Sequence, residues 1–309
     1  MKKIVIVSAL LLFAFHFSLC NAQKKETFAF VERDSTLYLD VWHPAQPRPD
    51  SACVVALFGG GFVVGERDDE LQTKIAEQLT QRGFVVVSPD YRLALRDTAM
   101  VHRYKGLTHM NDLFQVVIDM AAEDCAAACA YVVAHAKELG INPNRIVLTG
   151  CSAGAITVLQ LDYCRANQLP AASALPNGWK PAAVAPYAGA VMCKGKPKYN
   201  TAPAPTLLMH GTKDKIVAYK RFPKIISHAL YGSSTVYKQM RKQDLPVWIV
   251  RYEGIGHEVA SFLPGSVDFF CGFVEQVFTG RVTTLEATMH DAKLVPTKWT
   301  KMTVIDLYK

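Results

Sequence analysis

The tightest constraint on this chain is a five-residue stretch, Gly150-Cys151-Ser152-Ala153-Gly154, wedged between a β-rich run and a helix-competent one. Residues 145–149 read Arg-Ile-Val-Leu-Thr and residues 155–160 read Ala-Ile-Thr-Val-Leu-Gln, so strand passes to helix within a single tight turn. A side chain at either glycine would crowd that turn or the neighbouring strand, which is why small residues flank the serine. The pattern is G-x-S-x-G, in which a serine is forced onto a sharp strand-to-helix turn with its hydroxyl projecting from the sheet edge. Five residues can match by chance, or can be a helix N-cap after a glycine turn. The rest of the chain decides.

A strand-helix alternation runs through it. Residues 37–42 read as a strand, a proline-rich turn follows (Pro44, Pro47, Pro49), and residues 53–58 form a continuous apolar strand ending in Gly59, Gly60 and Gly61. Asp68 or Asp69 caps a helix running to about Arg82, with Gly83 as its stop. Residues 84–88 are the next buried strand, and residues 91–109 read as a loop of mixed polarity, the kind that lines binding sites. A long helix is expected from Asn111 to Leu139, ended by Gly140, and a shorter one from Ser152 to about Arg165. Residues 182–186, 206–209 and 247–252 are further strands, and residues 267–278 a closing helix. The alternation predicts an α/β fold, a mostly parallel sheet covered by helices on both faces. Residues 281–309 carry no clear pattern.

Half the residues are hydrophobic and a fifth are charged, which is the composition of a folded chain, and no linker divides it. A single domain over 23–309 is expected. Residues 1–22 read as an export signal: Lys2 and Lys3, an apolar run from Ile4 to Leu19, then Cys20 and Ala22 at the −3 and −1 positions of a cleavage site. A retained membrane anchor and lipid attachment at Cys20 are the alternatives; the run is short for a span of about 20 residues, and Leu19 is bulky beside Cys20. The reading predicts an exported protein, periplasmic or secreted, with no membrane association once the signal is removed.

The net charge is +7 and two of those charges, Lys2 and Lys3, lie in the signal. The remaining basic residues are scattered, and the cluster Lys194, Lys196 and Lys198 reads as a solvated loop, so no nucleic-acid partner is expected. Seven of the eight cysteines lie beyond the signal, mostly in apolar strings, an odd number that leaves at least one thiol free unless it pairs with another chain. No metal-type spacing of Cys and His occurs, so neither a metal site nor a cofactor is expected.

The triple glycine after the early strand gives the serine a chemical context. Acyl transfer builds negative charge on a carbonyl oxygen, and main-chain N–H groups that come close enough to donate to it supply much of the rate. Gly60, Gly61 and Ala153 are the expected oxyanion donors. Serine also needs an imidazole to take its proton and a carboxylate to orient that imidazole. His257 follows the last strand in a glycine-rich loop, Gly254-Ile255-Gly256-His257, and Asp214 follows the strand before it in His210-Gly211-Thr212-Lys213-Asp214. The chain order Ser, Asp, His fits this arrangement. The rival acids are Glu253, Glu258 and Asp268; His210 is expected to be structural and His228 to lie on a helix surface.

With these elements assembled, the chain resembles the carboxylesterases of the α/β-hydrolase fold, in particular the capless, feruloyl-esterase-like relatives of the hormone-sensitive-lipase group. Beyond the motifs above, Leu37-Tyr38-Leu39-Asp40-Val41-Trp42, Val87-Ser88-Pro89-Asp90-Tyr91-Arg92-Leu93-Ala94 and Gly140-Ile141-Asn142-Pro143-Asn144-Arg145-Ile146 are similar to that family's signatures. Three departures stand out. Phe58 replaces the family's usual histidine before the triple glycine, so the loop must be anchored differently. Cys151 replaces a commonly acidic neighbour of the serine. Residues 219–243, with Phe222, Tyr231 and Tyr237, form a longer segment that reads as either a lid or pocket wall setting acyl selectivity or an ordinary packed helix pair.

The resemblance implies hydrolysis of small or carbohydrate-linked acyl esters, such as acetyl or feruloyl groups on plant polysaccharide, through an acyl-enzyme on Ser152. A peptidase of the prolyl-oligopeptidase type shares the fold and triad but usually carries a large extra domain for which this chain has no room. A non-catalytic binding protein on the same fold is the third reading, opposed by the complete set of serine, histidine, acid and glycine loop.

Overall fold

A computed structural model describes residues 24–104, 109–223 and 228–308; residues 1–22, expected to be an export signal, lie outside the described residues. In chain order the strands are β1 (Lys24–Glu32), β2 (Thr36–His43), β3 (Cys53–Leu57), β4 (Val85–Pro89), β5 (Ile146–Cys151), β6 (Ala183–Tyr187), β7 (Ala190–Lys194), β8 (Thr206–Gly211), β9 (Arg221–Phe222), β10 (His228–Gly232), β11 (Val247–Tyr252) and β12 (Leu285–Met289). The helices are α1 (Glu70–Thr80), α2 (Thr98–Arg103), α3 (Met110–Ala134), α4 (Ala153–Ala166), α5 (Ser233–Lys242), α6 (Val267–Phe278), α7 (Lys298–Lys301) and α8 (Val304–Leu307).

Nine strands form one sheet in the order β1-β2-β4-β3-β5-β6-β8-β11-β12. β1 and β2 run antiparallel to their neighbours, and every pairing from β4 through β12 is parallel. The central strands are unbroken apolar runs because both faces are covered. β3 sends Val55 and Leu57 into a cluster shared with Val117, Ile118 and Val158 of α3 and α4. Its alternate residues Val54 and Ala56 enter a second cluster with Ile75 and Leu79 of α1 and Phe270 and Phe273 of α6.

Several sequence expectations hold in detail. Asp69 caps α1, its carboxylate accepting the Gln72 N–H at 2.8 Å. Lys194, Lys196 and Lys198 are exposed. All seven described cysteines are free thiols and six are buried.

Others need correction. α3 ends at Ala134 and residues up to Gly140 continue as turns, the Leu139 N–H bonding back to the His135 carbonyl. The stretch 91–109 carries the short helix α2, capped by Asp97, and lines a separate polar cleft with Arg67 and Asp90 rather than the serine; residues 105–108 lie outside the described residues. His228 is on strand β10, not a helix, and its Nε2 lies 2.9 Å from Gln115 Oε1. β7, β9 and β10 form a small second sheet, β7-β10-β9. The segment 219–243 is thus strand and helix packed down, with Tyr231 and Tyr237 buried; residues 224–227 lie outside the described residues. Residues 281–308, unplaced from sequence, supply β12, α7 and α8.

Candidate active site

The site is assembled where the sheet order changes direction. From β3 the chain goes outward to β4 on one side and then to β5 on the other, which opens a crevice at the carboxyl ends of β3 and β5. Leu57 pairs with Gly150, so the glycine loop and the serine turn leave the sheet side by side. A β-carbon on Gly59 would lie 3.1 Å from the Cys151 carbonyl oxygen and 3.4 Å from Ser152 Cβ. One on Gly154 would come within 2.4 Å of the Leu57 and Phe58 carbonyl oxygens, so only glycine lets α4 start against β3.

Ser152 has φ 53° and ψ −113°, a conformation that costs roughly 1–3 kcal/mol and persists only when its surroundings impose it. They do so here: its N–H donates to the Tyr187 carbonyl at 3.0 Å, and its own carbonyl accepts the Ile156 N–H at 2.9 Å. Cys151 points away into the core beneath the turn, where burial pushes its thiol up to about 12. It is a packing residue beside the serine.

The parallel pair β8 and β11 brings in the other two candidates. Tyr252 pairs with Gly211, the Thr212 N–H donates to the Tyr252 carbonyl at 3.1 Å, and the Lys213 N–H donates to the Ile255 carbonyl at 2.8 Å. The two loops are laced together, and they carry Asp214 and His257 to each other. His257 Nδ1 is 2.7 Å from Asp214 Oδ2, and His257 Nε2 is 2.8 Å from Ser152 Oγ. The residues expected to meet from positions 152, 214 and 257 therefore do so, in one line of hydrogen bonds.

Asp214 is fully buried as a side chain. Burial opposes its ionisation, but the His257 charge and hydrogen bonds from His210 and His257 outweigh that and hold the carboxyl far below the usual range. Its Oδ1 accepts the N–H groups of Ile216 at 2.9 Å and Val217 at 3.0 Å. His210 lies on its other side: Nε2, 2.9 Å from the Val217 carbonyl and 3.3 Å from Asp214 Oδ2, must carry the proton because a carbonyl only accepts. Nδ1 lies 2.8 Å from Ser233 Oγ. His210 is structural, as expected, and it steadies the carboxylate.

The rival acids are occupied elsewhere or turned away. Asp268 pairs with Arg82 at the start of α6 and Glu253 is exposed on a turn. Glu258 has a different role that the sequence did not reveal. Its carboxylate accepts the Gly256 N–H at 2.9 Å and both the N–H and hydroxyl groups of Thr297 and Thr300, at 2.6–3.0 Å. It fastens the segment before α8 to the loop that carries His257. Burial raises its pKa, but these donors win and leave the carboxyl below its ordinary value. A depressed folded pKa means stability that is present above the ordinary glutamate range and lost as pH falls through the folded value. Glu258→Ala is expected to lower the melting temperature at neutral pH by on the order of 2–4 °C, with the gap to the parent narrowing below about pH 4; thermal scans across pH measure it.

Gly60, Gly61 and Ala153, the expected oxyanion donors, border the space beside Ser152. Gly60 and Gly61 have φ of 112° and 63°, and among the described residues no protein acceptor takes either N–H. Ala153 is the first residue of α4, where an N–H has no intrahelical partner. The replacement of the family's histidine by Phe58 is resolved by two tyrosines. Tyr91 stacks on Phe58 with centroids 4.4 Å apart and donates its hydroxyl to the Phe58 carbonyl at 2.9 Å; Tyr308 donates to the Gly61 carbonyl at 2.8 Å. Two spaces meet at Ser152, a cleft of about 440 Å³ that includes His257 and Trp299, and an apolar pocket of about 40 Å³ that includes Ala153 and Ile156.

A parallel sheet of this order, with serine, imidazole and carboxylate gathered at its carboxyl edge, defines an α/β-hydrolase. Residues 17–169, just under half of the chain, match the profile described as "Carboxylesterase family", so this part of the chain is similar to the carboxylesterases of that fold. That match covers the glycine loop and Ser152 and stops short of Asp214 and His257. Lipase 2 of Moraxella sp. is 35% identical over 105 residues, which is 34% of this chain and 20% of that protein. Esterase LipI of Mycobacterium tuberculosis is 34% identical over 114 residues, 37% of this chain and 29% of that protein. The alignments thus span under a third of these relatives' lengths. Among solved structures, Thermogutta terrifontis esterase 2 superposes with a TM-score of 0.56 at 21% identity, covering 83% of this chain and 93% of that one, which is a likeness of fold.

Proposed function

We propose that this protein is a carboxylic ester hydrolase acting through a covalent acyl-enzyme on Ser152. The observation that carries the proposal is the unbroken line from the Ser152 hydroxyl through His257 to Asp214, at 2.8 and 2.7 Å. Ser152 Oγ forms a bond to the ester carbonyl carbon as its proton passes to His257 Nε2, and Asp214 balances the charge on the imidazolium. The carbonyl oxygen takes up the electron pair between the N–H groups of Gly60, Gly61 and Ala153, each donor contributing up to about 3–4 kcal/mol. When the carbonyl re-forms, the carbon–oxygen bond to the alcohol breaks and His257 returns its proton to the leaving oxygen. Water repeats the sequence, giving its proton to His257 and releasing the acid.

The finer reading follows the sequence. The export signal expected from residues 1–22 would put the substrate outside the cytoplasm, in the periplasm or medium, and the motifs resemble those of the capless, feruloyl-esterase-like group, for which acyl esters on polysaccharide are fitting substrates. The wide cleft beside His257 has room for a sugar-sized alcohol. Labelling with a fluorophosphonate probe, followed by turnover of p-nitrophenyl acetate, acetylated xylan and feruloylated sugars, tests both levels. Labelling and ester turnover are expected; an unlabelled, inert protein ends the hydrolase proposal, and turnover of simple esters alone ends the polysaccharide one.

A further inference from the structure

We infer that the segment 298–308 sets acyl specificity: Leu307 and Tyr308, with Val304, close the acyl side of the site and restrict it to short acyl groups of about two to four carbons. The inference rests on the serine hydrolase proposal above and narrows its substrates to acetyl-like esters, leaving the feruloyl group too large for the acyl side.

Which space takes which half of an ester follows from proton transfer. His257 must reach the leaving oxygen to protonate it, so the alcohol lies in the space that His257 lines. That is the larger cleft, with Glu258 and Trp299 on its walls. The acyl group is left with the other space, which opens beside Ala153 and Gly61, the expected oxyanion donors, and has no contribution from His257. Its walls are apolar: Phe114, Ile118, Ile156, Val217, Leu230 and Val304. Its volume is about 40 Å³, room for roughly three water-sized groups, and so for the methyl of an acetyl group or a chain slightly longer.

Leu307 and Tyr308 border both spaces and form the partition between them. A β-carbon on Gly61 would lie 3.0 Å from Leu307 Cδ2, so this residue sits directly against the glycine loop. The segment is fastened to all three loops that carry the candidate chemistry. Glu258, next to His257, holds Thr297 and Thr300; the carbonyl of Lys215, next to Asp214, accepts the Val304 N–H at 3.2 Å; the Gly61 carbonyl accepts from Tyr308. A wall pinned at three points does not give way to a longer acyl chain without losing those bonds. Leu307 itself is only partly buried and belongs to a four-residue helix, so changing it leaves the core intact.

The test is the ratio of kcat/KM for p-nitrophenyl hexanoate to that for the acetate, in the full chain and in Leu307→Ala and Leu307→Phe. The parent is expected to favour acetate by about 10-fold or more. Leu307→Ala should raise the hexanoate-to-acetate ratio by on the order of 10-fold, and Leu307→Phe, which fills the pocket, should lower the propionate-to-acetate ratio. Ratios within twofold of the parent in both variants overturn the inference, as does a parent that prefers hexanoate. A parent that turns over neither ester and takes up no fluorophosphonate removes the hydrolase proposal itself, an outcome readily told from the other two.

Discussion

Ser152→Ala is expected to lower kcat for p-nitrophenyl acetate by at least about 10⁴-fold, because among the described residues no other hydroxyl of the cleft bonds to the His257 imidazole. The neighbouring thiol does not substitute for the hydroxyl: Cys151 is directed into the core and its pKa is raised by burial. The fold should be unaffected. Among the described residues Ser152 Oγ bonds only to His257, while the turn is held through the backbone by Tyr187 and Ile156 and by the contacts of Gly154 with β3. Alanine keeps those backbone bonds. Steady-state rates with circular dichroism and a melting curve decide the matter; a variant that is folded and fully active would show that the chemistry runs elsewhere.

Asp214→Asn is expected to cost about 10⁴-fold in kcat, for a reason that can be read from the four donors around the carboxylate. Ile216 and Val217 N–H groups fix one oxygen at Oδ1, so the amide nitrogen of asparagine must occupy the Oδ2 position, facing His257 Nδ1 and His210 Nε2. There it donates to His257 Nδ1 and forces the proton onto Nε2, where the imidazole can no longer accept from Ser152. It also opposes the N–H of His210. The pH dependence carries a sign. The folded pKa of Asp214 is depressed, so its contribution to stability is complete above the ordinary carboxylate range of about 4 and is lost as pH falls through the folded value. Urea unfolding of parent and variant should differ most above about pH 5 and converge in acid, and equal differences at pH 3 and pH 7 would contradict this account.

Much of this arrangement was legible in the residues because each part has a local cause. The central strands are continuous apolar runs since both faces are buried, and the G-x-S-x-G turn, the triple glycine and the loops at Asp214 and His257 all follow recognisable strands. What escaped notice has long-range causes. β1 and β12 are the outer strands of the sheet with mixed exposure, and β12 is defined mainly by its parallel partner β11. β10, with His228, belongs to a sheet whose strands come from three separated stretches. Glu258 appeared as a rival acid because its neighbours in sequence are His257 and Gly256; its true partners, Thr297 and Thr300, lie about forty residues on. Tyr308 anchors a loop 247 positions away. No local pattern announces a contact of that kind.

The six sealed thiols have a use that owes nothing to catalysis. Cys53, Cys125, Cys129, Cys151, Cys164 and Cys193 are spread across β3, α3, β5, α4 and β7, so a small alkylating reagent can consume them only when the layer that covers each one opens. The partly exposed Cys271 on α6 lacks that protection. Mass-resolved alkylation thus turns the chain into its own map of breathing motions, with one site as the reference and six as depth gauges.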